Sequence, residues 1–364
     1  MINEKRLLDT FFDYVMIDSE TKNEKAMGEK LVEDLKALGL EVKTDKAGEG
    51  FGSNGFNVCA YLPGTIPGEP TIMCAHMDTV TPGNGIKPLI DDGIIHTDGS
   101  TILSGDDKSG IAAIMEAVKV IKEQNLPCRN TEILFTIGEE GGMNGVKNMI
   151  KGKEAMVFDA SGDVGKILTC GPGQIKIFAT IIGRSSHAGL APEEGISAIQ
   201  VAAKGIAKMN LLRIDEETTC NIGTLKAEYA TNIVPEKAEF VAEVRSRNLD
   251  KLNAQAAHMQ KCLQDACDEM GAKLEIELKT NYVSFNVAND DPMVQRVFES
   301  CKRIGCEPMT AKGGGGSDAN VMALHGIKPI VLSTGMTKVH TTGETLKIEN
   351  LNKCAELVLD LMTH

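Results

Sequence analysis

The residues best suited to chemistry stand at the end of a short apolar run, T-E-I-L-F-T-I-G-E-E-G-G at 131–142. Ile133, Leu134, Phe135 and Ile137 are β-branched or bulky and read as a buried strand that stops at Gly138. Glu139 and Glu140 follow side by side. Successive strand side chains point to opposite faces, so the two carboxylates must diverge unless the chain turns there. Two anions gathered where a buried strand ends need a cation, or a proton on one of them, to offset the cost.

Other polar residues stand in comparable places. The run T-I-M-C-A at 71–75 leads straight into His76-Met77-Asp78. Two residues apart on an extended chain, His76 and Asp78 share a face, which supplies a ligand and a carboxylate that could orient it. S-G-D-D-K-S-G at 104–110 precedes a helix expected at 111–124. One aspartate would serve as its cap, so Asp106 and Asp107 leave one acid to be explained. The strand A-M-V-F at 155–158 ends in Asp159, and His340 lies in K-V-H-T-T-G-E. Two imidazoles with several carboxylates and no thiolate suit zinc, cobalt or manganese, and the number of acids suggests two ions sharing one aspartate. A spare glutamate beside a ligand glutamate is what metal-assisted hydrolysis needs. One holds an ion, while the other takes a proton from polarised water and passes it to the leaving group.

The elements that must position these residues alternate. A helix is expected at 23–40, strands at 40–44, 57–61 and 71–75, a hairpin from 92–96 and 101–103 around D-G-S, and a helix at 143–150. This is an α/β pattern with a mostly parallel sheet. From residue 174 the order becomes strand 174–182, helix 194–209, strands 219–229 and 237–246, helix 250–270 and strand 273–280. That is the β-α-β-β-α-β order of a ferredoxin-like α+β unit. The α/β pattern then returns with helix 291–304, a glycine run at 313–316, helix 319–324, strand 329–333 and helix 348–362. The expected architecture is therefore a discontinuous α/β domain, 1–173 and 285–364, with a ferredoxin-like module, 174–284, inserted. Ligands of an open α/β sheet bind outside the carboxyl ends of its strands. His76, Asp106, Glu139, Glu140, Asp159 and His340 all fall at that edge.

Composition narrows the function classes. A chain of 364 residues exceeds a usual single domain. With 42% hydrophobic and 24% charged residues it reads as an ordinary globular protein. A net charge of −13 argues against nucleic acid or an anionic membrane as partner. The first fifteen residues form an amphipathic pattern without the layout of a signal peptide, and no apolar segment approaches transmembrane length. Ten cysteines without a C-x-x-C pair read as reduced, mostly buried thiols, which points to the cytoplasm.

In order along the chain, H-M-D-T-V, S-G-D-D-K-S-G, G-E-E-G, F-D-A-S-G and V-H-T-T-G-E resemble the motifs of the M20 metallopeptidases, near the peptidase T-like branch. The resemblance covers nearly the whole chain. It implies a hydrolase holding two divalent ions, zinc foremost, with cobalt or manganese possible. His76, Asp106 and Asp159 would take one ion, and Asp106 (bridging), Glu140 and His340 the other. Glu139 would be the general base, Asp78 would orient His76, and a cis peptide is implied between Asp106 and Asp107. The inserted module, carrying G-R-S-S-H-A-G, resembles the family's lid or dimerisation domain and implies a homodimer. Its His187 would stabilise the oxyanion. Arg245 and Asn232 resemble positions that hold a substrate carboxylate and backbone, with Arg247 or a surface salt bridge as alternatives. Gly315, Gly316, Ser317 and Asp318 could line the pocket with backbone N–H groups, a flexible loop being the alternative. An aspartate at 159 fits aminopeptidase-like members, so short peptides are the expected substrates. The chain is shorter than expected for tripeptidases of that branch. An M20-type amidohydrolase cleaving N-acyl amino acids and a non-catalytic metal- or peptide-binding relative are the other readings. His96, His258, His325 and His364 match no motif and read as structural or surface residues.

Overall fold

The structure is a computed structural model that describes residues 1–146 and 151–364. The described residues form two compact units. One comprises Met1–Cys170, Asn286–Gly313 and Ser317–His364, and the other Gly171–Phe285 with Gly314–Gly316.

The first unit is built on a nine-stranded mixed sheet. From one edge seven of its strands run Glu41–Thr44, Val58–Leu62, Arg129–Thr136, Ile66–His76, Glu154–Ala160, Lys328–Ser333, Lys166–Gly171, and the short Phe285–Asn286 and Met309–Lys312 complete it. The middle four are mutually parallel, so their carboxyl ends share an edge. Their carboxyl-side halves are mostly apolar and buried, as strand segments covered on both faces must be. Cys74 stands opposite both Leu134 and Val157. Two residues on, His76, Thr136 and Asp159 therefore lie at one level. Helix Gly105–Gln124 is buried along nearly its whole length, packed against the His76 strand and the helices Glu4–Val15 and Ile348–Thr363. Gly110 lets it approach the sheet, since a Cβ there would come 2.6 Å from both the Phe158 carbonyl oxygen and Asp107 Oδ1.

The second unit is a five-stranded antiparallel sheet, ordered Leu212–Arg213, Thr218–Lys226, Lys237–Ser246, Gly173–Ile182, Lys273–Tyr282. Helices Ala198–Ala207 and Leu249–Met270 cover one face of it. Ile175, Ile177, Ala179 and Ile181 point into that core, while Lys176, Phe178 and Thr180 alternate outward.

Several elements differ from the sequence expectation. The hairpin joins Leu89–Asp91 to Ile94–His96 and turns at Asp92-Gly93, both left-handed (φ 48° and 77°), the pair a tight hairpin turn prefers. At Asp98-Gly99-Ser100 the Asp98 carboxylate instead accepts the Ser100 N–H in a bend, and no strand forms at 101–103. Helix Ala198–Ala207 starts four residues late because Ser197 caps it through the Gln200 N–H. Of the helix expected at 143–150, residues 143–146 are irregular and 147–150 lie outside the described residues. Strands Lys166–Gly171 and Met309–Lys312 pair in parallel although neither is strongly apolar. No helix among the described residues is long and apolar enough to cross a membrane.

Candidate metal centre

The turn that lets two neighbouring glutamates share one rim is made by Gly138. Its φ is +65°, and a Cβ there would press into the Phe51 ring at 2.5 Å. The Gly142 and Met143 N–H groups close the loop onto the Glu139 carbonyl oxygen at 2.9 and 2.8 Å. The N–H groups of the glutamates themselves go to one buried carboxylate. Glu139 N donates to Asp78 Oδ1 at 2.9 Å and Glu140 N to Asp78 Oδ2 at 3.2 Å.

His76 is 2% exposed, and its Nδ1 lies 2.9 Å from the Asp78 carbonyl oxygen. The Asp78 carboxylate stands farther off, at 3.6 Å. Asp78 thus fixes His76 chiefly through its main chain and the glutamate tip through its side chain. His76 Nε2 faces Asp106 Oδ1 at 3.0 Å and Asp159 Oδ1 at 3.7 Å. The other Asp106 oxygen, Oδ2, faces His340 Nε2 at 3.3 Å, and that nitrogen is 2.8 Å from Glu140 Oε1. One aspartate is therefore divided between two histidines 264 positions apart in the chain. The peptide bond from Asp106 to Asp107 is cis. Asp107 Oδ2 accepts the His76 N–H at 3.1 Å, and its buried Oδ1 has no hydrogen-bond partner among the described residues.

Crowding sets the charge state. Burial, followed by the nearby Asp159, pushes the Glu139 carboxyl well above its ordinary range. Burial likewise raises Asp159, to about 7. Burial works against ionised Asp106 too, but hydrogen bonds with His340 and His76 prevail and hold it low. Burial opposes a charge on His76, yet its contacts with Asp106, Asp159 and Asp78 keep it protonated well above the usual range. His340 is raised to about 10 by Asp106 and Glu140.

Such a rim fits cations. His76, Asp106 and Glu140 offer donor atoms within 4.8 Å of one another, and so do His76, Asp107 and Asp159. The donors are imidazole nitrogens and carboxylate oxygens, a set suited to zinc, cobalt or manganese. The contacts between the two histidines and the acids account for the opposed shifts just described.

The sequence pattern of "Peptidase family M20/M25/M40" matches residues 72–364. The chain belongs to this family. It is 42% identical over 366 residues to YqjE of Bacillus subtilis (strain 168), itself uncharacterised, covering 100% of this chain and 99% of that one. Among solved structures, aminopeptidase PepT from Bacillus cereus ATCC 10987 is 43% identical with a TM-score of 0.93, covering 100% and 98%. A tripeptidase from Staphylococcus aureus subsp. aureus Mu50 is 39% identical with a TM-score of 0.94, again covering 100% and 98%. The mutual coverage shows that this chain is not short beside that last protein.

Within this M20 peptidase the remaining candidates fall in different settings. His187, Asn232 and Arg245 belong to the second unit. His187 bridges Ile233, the Ala188 N–H donates to the Asn232 carbonyl oxygen, and His187 Nδ1 accepts the Gly189 and Leu190 N–H groups at 3.2 Å. Arg245 is forked onto Glu243 at 2.8 and 3.1 Å, while Arg247 donates to the Glu216 carbonyl oxygen. Gly315 has open space around it, whereas a Cβ at Gly316 would meet the Tyr282 ring at 2.5 Å. The Ser317 N–H is already spent on Asn320 Oδ1 in a capping box. Asp318 is 1% exposed, accepts the Thr136 hydroxyl, and is raised by burial to about 7.

Glu344 was not singled out from sequence, although it closes the motif that carries His340. It is 1% exposed and accepts three backbone N–H groups at 2.9 Å, from Leu103, Ser104 and Asp106. Gly105 permits the approach, since its Cβ would lie 3.0 Å from Glu344 Oε1.

Proposed function

We propose that this chain is a two-metal exopeptidase that removes residues from the free amino end of short peptides. The observation that carries the reading is the division of buried Asp106 between His76 and His340. His76, Asp106 and Asp159 would hold one divalent ion, and Asp106, Glu140 and His340 the other, zinc foremost. When bound, such ions polarise the scissile carbonyl and acidify water. The chain's own residues do the rest. The ion pairs of the two histidines go to Asp78, Asp106, Glu140 and Asp159, which leaves the Glu139 carboxyl free of them. Glu139, at the rim beside Glu140 and not engaged by either histidine, would take a proton from the attacking water and return it to the departing amine.

His187 is proposed to stabilise the oxyanion, and Asn232 and Arg245 to hold the peptide. Arg245 would have to share its fork between Glu243 and a substrate carboxylate. A homodimer through the second unit belongs to the same reading, and light scattering giving a monomer would remove it. Ten free cysteines support a reducing compartment, the cytoplasm.

The test is a panel of di- and tripeptides, with free and acetylated amino ends, offered to protein reloaded with zinc, cobalt or manganese. Free-amine peptides should lose their first residue and acetylated ones should survive. Cleavage of the acetylated set would turn the reading into an amidohydrolase. Glu139→Gln should lower kcat by about 10²- to 10⁴-fold while ion binding persists.

A further inference from the structure

We propose that Thr21, in the segment between the first two helices, is a positioning residue for the Glu139–Glu140 pair and acts through Asp78. The role of the pair rests on the peptidase reading above, whereas the positioning rests on geometry. Thr21 precedes the stretch matched by the family pattern, which begins at residue 72.

The segment 19–21 lies alongside 77–79 as a short strap. The Ser19 hydroxyl donates to the Met77 carbonyl oxygen at 2.8 Å, the Thr79 N–H to Ser19 at 3.0 Å, and the Thr21 N–H to Thr79 at 3.1 Å. Two residues before the strap, the Ile17 carbonyl oxygen accepts buried Lys108 Nζ at 2.7 Å. From the strap the Thr21 hydroxyl donates to Asp78 Oδ2 at 2.8 Å, the oxygen that also accepts the Glu140 N–H. Asp78 is fully buried, and among the described residues this hydroxyl and the two glutamate N–H groups donate to its carboxylate. A carboxylate so enclosed keeps its orientation only while its donors do. Removing the hydroxyl frees Oδ2 to swing and loosens the Glu140 main chain.

The methyl group acts on the same tip. A Cβ at Gly141 would come 2.6 Å from Thr21 Cγ2, so the methyl sits against the backbone just after Glu140. Valine preserves that shape and deletes the hydroxyl, while serine preserves the hydroxyl and deletes the methyl.

The experiment compares full-length wild type, Thr21→Val and Thr21→Ser. Zinc affinity is read by competition with a chromophoric chelator, kcat and KM on a short peptide at saturating zinc, and melting temperature on the apoprotein. Thr21→Val should weaken uptake of the zinc held by Glu140 and lower kcat, each about tenfold, as loss of an outer hydrogen bond at a metal site does. KM should stay unchanged, and Thr21→Ser should recover both losses. Wild-type affinity and kcat in Thr21→Val would overturn the proposal. A fall in Thr21→Ser as deep as in Thr21→Val, or a lower melting temperature with affinity and kcat intact, would make Thr21 a packing residue and overturn it too. If wild type binds zinc yet cleaves no peptide, the peptidase reading fails, and the zinc affinity of Thr21→Val still decides the positioning role.

Discussion

The two histidines that face Asp106 come from opposite settings. His76 ends a central strand, is 2% exposed, and has both ring nitrogens held by buried oxygens. His340 sits on the loop between Met336–Thr337 and Thr345–Lys347, at φ +62°, with its side chain 53% exposed. A left-handed backbone at a residue other than glycine costs about 1 kcal/mol or more, so that loop must be held by its surroundings. The Thr341 hydroxyl on the Lys338 carbonyl oxygen and the Thr337–Thr345 hydroxyl pair do part of this. One half of the centre is thus formed by sheet packing and the other by a surface loop. Exposed loops open at lower free energy than core strands. The halves should therefore differ in what their removal does.

The largest difference is expected in the apoprotein. His76→Ala leaves Asp159 without its histidine and Asp106 with His340 alone in a desolvated setting, which costs on the order of 3 kcal/mol. His340→Ala exposes its partners to water and should cost about 1 kcal/mol or less. Urea unfolding of both metal-free variants checks this. Equal losses would mean that the loop half is as firmly built as the strand half.

The second way to sharpen the contrast is stepwise metal removal. In the proposed centre, the ion on the His340 side should be released at chelator concentrations about tenfold or more below those that strip the His76 side, because exposed loops open at lower free energy than core strands. His340→Ala should retain one tight equivalent, while His76→Ala should lose affinity at both positions through their shared Asp106. Simultaneous release of both ions from wild type would erase the distinction.

What the sequence made legible follows the same divide. His76, Glu139 and Asp159 could be placed because each follows an apolar run that only a buried strand explains. His340 and Asp106 were legible as members of polar motifs in loops that the α/β order sends to the same edge. The wiring beneath them was not. His76 and Asp78 were expected to interact through the carboxylate, as the spacing suggests, but the chain turns so that the carbonyl oxygen meets the ring. The freed carboxylate then binds main chain 61 residues away, which no local pattern encodes. Thr21 and Glu344 escaped notice for the same reason, since their work is to meet distant N–H groups or oxygens. The strands Lys166–Gly171 and Met309–Lys312 escaped because tertiary pairing outweighed weak propensity.

The smallest effect should come where the two halves meet. Glu344 leaves the same loop as His340 and reaches back to the Leu103, Ser104 and Asp106 N–H groups, so it fixes the shared aspartate from the exposed side. Burial raises this carboxyl to about 7 despite those three donors. Glu344→Gln keeps one acceptor oxygen and turns an NH₂ group toward a backbone N–H that then has no acceptor. Because Asp106 faces both histidines, the variant should weaken uptake of both equivalents of added zinc together, by about tenfold, with no change in their order of release. Chelator titration of the variant beside His340→Ala distinguishes the two cases. Loss confined to one equivalent would assign Glu344 to the loop half alone, whereas a parallel loss makes it the tie through which the exposed loop borrows order from the buried sheet.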